Sequence, residues 1–108
     1  MESKAQVIGH DALLRMQAIH GLSLKYNQLV GKEHQRRLLE LMRSHIGEIE
    51  ELVRKKDGHF LIEIGDLLVL SFEMLIENDA SVNNILLECF ERYEKKLQGL
   101  LDEKVKKN

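Results

Sequence analysis

His59-Phe60-Leu61-Ile62-Glu63-Ile64-Gly65-Asp66-Leu67-Leu68-Val69-Leu70-Ser71-Phe72-Glu73-Met74-Leu75-Ile76-Glu77 decides how this chain is read. Set about 100° apart on an α-helix, its apolar residues cover most of the circumference. The polar ones, His59, Glu63, Asp66, Glu73 and Glu77, share a stripe about 80° wide with Leu70 in its middle. A helix apolar nearly all round is expected to be buried, in a bundle or at a subunit interface. Carboxylates in such a place are costly unless paired, hydrogen-bonded or bound to a cation. Glu63 and Asp66, one turn apart and facing the same way, could share a hard divalent ion such as Mg²⁺. The helical wheel alone favours the plainer expectation that the stripe is the helix's wet edge.

The rest of the chain also reads as helix. There is no proline, and β-branched and aromatic residues are too scarce to build several strands. Four helices are expected, at about 10–30, 33–56, 59–78 and 81–103. Helix 1 places Ala12, Met16, Ile19, Tyr26 and Val30 on one face, and Gly31 ends it. Helix 2 repeats Leu38, Leu41, Met42, Ile46, Ile49, Leu52 and Val53 at three- and four-residue steps, and Asp57-Gly58 breaks the chain after it. Ser81 is the expected N-cap of helix 4, whose stripe is Val82, Ile85, Leu86, Cys89, Phe90, Tyr93, Leu97, Leu100 and Leu101. With no linker or repeat, residues 1–108 form one all-α domain, a four-helix bundle.

Several function classes are set aside by composition. Sixteen Lys+Arg against 18 Asp+Glu leave a net charge of −2 and no electrostatic footprint for nucleic acid. The lone Cys89 cannot form an internal disulfide and is expected to be a small buried hydrophobe. The run Leu67–Phe72 is too short to cross a membrane, and Met1–Gln6 lacks the features of a signal peptide, so a cytoplasmic location is expected. No Cys/His or Ser/His/Asp arrangement points to nucleophilic catalysis.

Helix 2 supplies partners for the acidic stripe. His45 falls inside its apolar arc and Glu48 at the edge, one turn apart, with Glu51 further out. Antiparallel packing of helices 2 and 3 would bring these residues towards Glu63 and Asp66, a recognised way to build a metal site in a bundle. His10, His20, His34 and His59 have no mutual spacing that reads as a metal cage and are expected to be structural or solvent-facing.

Gly47-Glu48, followed by Glu63-Ile64-Gly65-Asp66-Leu67-Leu68 and by a last helix bearing Arg92, Lys95 and Lys96, resembles the MazG-like all-α nucleoside triphosphate pyrophosphohydrolases. The resemblance covers roughly residues 38–96 and extends to phosphoribosyl-ATP pyrophosphohydrolases. The family pattern is ExxE, then ExxD on the next helix. Here His45 stands at the first ExxE position in one register; the other, Glu48 to Glu51, keeps ExxE with a shorter spacer. Ile62 and Phe90 replace a glutamate and an asparagine usual in the family.

The resemblance implies a dimer or larger assembly that converts an NTP or dNTP and water to the monophosphate and pyrophosphate. It makes Glu48, Glu63 and Asp66 catalytic metal ligands, completed by Glu51 or His45, with Arg92, Lys95 and Lys96 at the phosphates. Mg²⁺ is the implied cofactor, and a histidine ligand would suit Mn²⁺ better. Two other readings stay open: a family member that binds nucleotide without turnover, and a helical adaptor or chaperone that receives a partner helix.

Overall fold

The computed structural model describes residues 6–107, so the reading of Met1–Ala5 lies outside the described residues. Four helices follow one another: α1 His10–Leu29, α2 His34–Arg54, α3 Phe60–Glu77 and α4 Val82–Lys107. Among the described residues there is no strand, as the composition requires. No helix is long and apolar enough to cross a membrane.

The three turns between helices close in the same way. The Gly31 and Lys32 amides donate back to the Gln28 and Asn27 carbonyls, with Gly31 at φ 71°. This is a Schellman cap, and glycine meets its left-handed position without strain. The turn after α2 repeats the geometry, but its left-handed residue is Lys56, at φ 60°, and not Gly58. Asp57-Gly58 was expected to make the break; the chain turns one residue earlier, with the Asp57 amide donating to Leu52. After α3 the left-handed residue is Asp79, at φ 54°. The Glu33 carboxylate accepts from the Gln35 and Arg36 amides to cap α2, and Ser81 Oγ accepts from the Asn84 amide at α4 as its sequence position suggested.

Helices α1, α2 and α3 pack on one another, with α2 and α3 antiparallel and most intimate. Leu38 is fully buried at their centre, opposite a face of α3 that includes Leu70 and Glu73. The acidic stripe thus turns partly inward. Glu63 and Glu73 are buried, whereas the apolar flanks Leu61, Ile62 and Leu68 face out. The expectation of a wet edge holds for His59 and Asp66 and fails for Glu63 and Glu73, and among the described residues no helix covers Leu61, Ile62 and Leu68.

Helix α1 is likewise turned from its expected face. Ile19, Tyr26 and Val30 are exposed, and the inward residues are Leu13, Met16, His20, Ser23, Leu24 and Asn27. Two polar members of that face, Asn27 and His20, have partners on α2 and α3, His34 and Glu77, which hydrophobic periodicity could not anticipate.

Helix α4 projects from this three-helix core. It meets only α3, through Val82 and the partly covered Ile85, Leu86 and Cys89. The Asn83 side chain ties its first turn to the segment before α1: Oδ1 accepts from the Val7 and Ile8 amides at 2.9 and 2.7 Å, and Nδ2 donates to the Ile8 carbonyl. From Glu91 on every residue described is exposed, including Tyr93, Leu97, Leu100 and Leu101 of the apolar stripe. The radius of gyration is 17.6 Å, against about 13 Å for a compact domain of this length.

Candidate functional site

The antiparallel α2–α3 pair brings His45, Glu48 and Glu63 together, one ligand atom from each lying within 4.8 Å of the others. His45 and Glu48 are separated by three residues on α2 and so project from one face. Glu63, on the first turn of α3, meets them from across the turn. Its Oε2 is hydrogen-bonded to His45 Nδ1, and its Oε1 lies 3.7 Å from His59 Nε2 on its own helix. Hydrogen bonding from His45 holds the Glu63 carboxyl below its ordinary value; hydrogen bonding with Glu48 and the charges of His45 and His59 act in the same direction, against the opposing effect of burial.

A cleft of about 270 Å³ opens beside this cluster, lined by Glu48, Glu51, Leu52, His59 and Glu63. Glu51 reaches it from the rim, where Arg54 and Lys55 pair with its carboxylate. Asp66 stands exposed and belongs neither to the cluster nor to the cleft lining. Of the five expected metal ligands, His45, Glu48 and Glu63 cluster, Glu51 lines the adjoining cleft, and Asp66 belongs to neither. Arg92, Lys95 and Lys96 line a separate hollow of about 370 Å³ with Tyr93, on the projecting part of α4. Helix α4 makes no close approach to α2, so these basic residues do not meet the carboxylates within one chain.

A second cluster lies at the other end of the same helix pair. His20 of α1, His34 of α2 and Glu77 of α3 bring one ligand atom each within 4.8 Å of the others. No spacing in the sequence pointed to it, because its members come from three helices and are 14 and 43 residues apart along the chain. The one available signal was Glu77, the last member of the acidic stripe.

No family model, curated protein or solved structure matches the chain.

Proposed function

We propose that the protein is a metal-dependent nucleotide pyrophosphohydrolase of the MazG-like type, acting on an NTP or dNTP as a homodimer or larger assembly. The observation that carries this reading is the convergence of Glu48 and Glu63, from facing helices, beside an open cleft. Two carboxylates and an imidazole suit a divalent ion with tolerance for nitrogen, so the donor set fits Mn²⁺ at least as well as Mg²⁺. Glu48, Glu63 and His45 would hold the ion, which when bound supplies charge neutralisation at the phosphates and a water made acidic enough to attack.

The protein's own groups have definite parts in this reading. Glu63 meets Glu48 and His45 with one ligand atom from each close enough to share a cation. The pairing of Glu51 with Arg54 and Lys55 places two cations at the cleft rim, where a triphosphate would enter. Arg92, Lys95 and Lys96 would contact phosphate only in an assembly in which a second copy's α4 crosses the cleft. The uncovered apolar stripe of α4 supports such an assembly.

The deciding experiment is pyrophosphate release from a panel of NTPs and dNTPs with Mg²⁺ or Mn²⁺, comparing wild type with Glu63→Gln. Metal-dependent release that falls at least about 100-fold in the variant is expected. No release with any substrate removes the enzyme reading. The same exposed apolar stripe then favours an adaptor that receives a partner helix.

A further inference from the structure

We propose that His20, His34 and Glu77 form a second metal site, distinct from the cleft, for a borderline divalent ion such as Zn²⁺. The site joins α1, α2 and α3 at the end of the α2–α3 pair remote from Glu63. Eleven residues of α2 separate His34 from His45 and fourteen of α3 separate Glu77 from Glu63, about 16–21 Å at helical rise.

The donors are already close. His20 Nε2 lies 2.6 Å and His34 Nε2 3.5 Å from Glu77 Oε2, and the two imidazoles meet edge to face with centroids 5.3 Å apart. Donors on a tetrahedral zinc with bonds near 2.0–2.1 Å are spaced ~3.3 Å apart. The His34–Glu77 spacing of 3.5 Å is close to this, and the His20–Glu77 pair, at 2.6 Å, would need to open by about 0.7 Å.

His34 is what sets this cluster apart from a chance meeting of polar groups. The residue is 6% exposed, and its Nε2 is buried among these donors without a hydrogen bond. Its other ring nitrogen, Nδ1, is 2.9 Å from the Asn27 side-chain amide. If that amide donates to Nδ1, the ring proton sits on Nε2 and finds no acceptor in good geometry. If the amide is turned so that its oxygen accepts from Nδ1–H, the Nε2 lone pair points unshared into the cluster. The two amide orientations differ by a flip of nearly identical shape. The second satisfies every group at once when a cation takes the lone pair, and it gives His34 the second-shell partner that metal-bound histidines commonly have.

Chemistry selects the ion. Two imidazoles and one carboxylate favour Zn²⁺, Co²⁺ or Ni²⁺ over Mg²⁺, which prefers an all-oxygen octahedron. Three protein donors also leave a coordination position open on the side where His20 and Glu77 remain partly exposed.

The test is made in a Glu63→Gln background, so that the cleft cluster cannot supply the signal. Zn²⁺ binding is measured by titration calorimetry, the Co²⁺ visible spectrum reports coordination, and circular dichroism checks folding. One Zn²⁺ per chain, a Co²⁺ spectrum of low coordination number and a Zn²⁺-induced rise in melting temperature are expected. Adding His34→Gln should weaken Zn²⁺ binding at least tenfold and abolish the thermal shift. Adding His20→Gln instead, at a more exposed position, should do the same and stands in if the His34 variant does not fold. Failure of the Glu63→Gln protein to bind Zn²⁺, or unaltered binding in a folded histidine variant, would overturn the proposal.

Discussion

The two ends of the α2–α3 pair hold the same kinds of side chain in opposite proportions. At one end two carboxylates, Glu48 and Glu63, meet one histidine; at the other two histidines, His20 and His34, meet the single carboxylate of Glu77. The first end borders an open cleft. The second is joined by α1, through His20 and through Asn27, which is buried against His34. An oxygen-rich set beside a cleft suits a hard ion and a phosphate substrate, whereas a nitrogen-rich set suits a borderline ion. Helix α3 contributes its acidic stripe to both ends. The difference therefore lies in what α1 and α2 place opposite each carboxylate.

The largest expected effect tests whether the ends are braced by one core. Leu38 is fully buried between His34 and His45 on the same face of α2. Leu38→Ala should cost about 2–5 kcal/mol by denaturant unfolding, from lost burial and the cavity left behind. Loss below about 1 kcal/mol would mean that the site relaxes around the gap and that each end is held separately.

Acid should act on the Glu63 end. The folded-state proton affinity of Glu63 lies below its ordinary value of 4.5. Its contribution to stability is complete above that value and is lost as pH falls through the lower folded value, because the unfolded chain takes up the proton first. The groups facing it are His45, Glu48 and His59. Wild type should therefore lose melting temperature more steeply below about pH 4.5 than Glu63→Gln does. Parallel curves would show that the pairing with His45 contributes nothing to folding.

The smallest effects separate the turns that position the two ends. Gly31 takes its left-handed conformation freely, beside His34; Lys56 takes the same conformation at the Glu63 end, against its side chain. Gly31→Ala should destabilise and Lys56→Gly should stabilise, each by about 1 kcal/mol in melting experiments. Equal and negligible changes would show that neither turn limits how its end is formed.

Much of the fold was legible from local chemistry. The absence of proline, the runs of three- and four-residue apolar spacing, Gly31 and Ser81 mark four helices whose bounds fall within a few residues of those observed. The cluster of His45, Glu48 and Glu63 was legible too, because both contributing helices flank one short turn and antiparallel packing follows from its length. Asp66 shows where this reasoning stops. It shares Glu63's stripe, yet it is exposed and joins no such cluster among the described residues.

The direction in which a helix faces is not a local property when its circumference is almost wholly apolar. For α3, periodicity identified a polar stripe and favoured a wet edge, which His59 and Asp66 are and Glu63 and Glu73 are not. The packing buried Glu63 and Glu73 of that stripe, set histidines of α1 and α2 against Glu77 and Glu63, and left Leu61, Ile62, Leu68 and the stripe of α4 from Phe90 on exposed. Likewise, the pairing of His20 with His34 and Glu77 has no signature along the chain, since three separate helices must be assembled before their side chains meet. Helix content and turn positions are set by interactions between near neighbours in sequence, whereas burial of Glu63 and Glu73 and the second cluster depend on contacts that exist only after the helices dock.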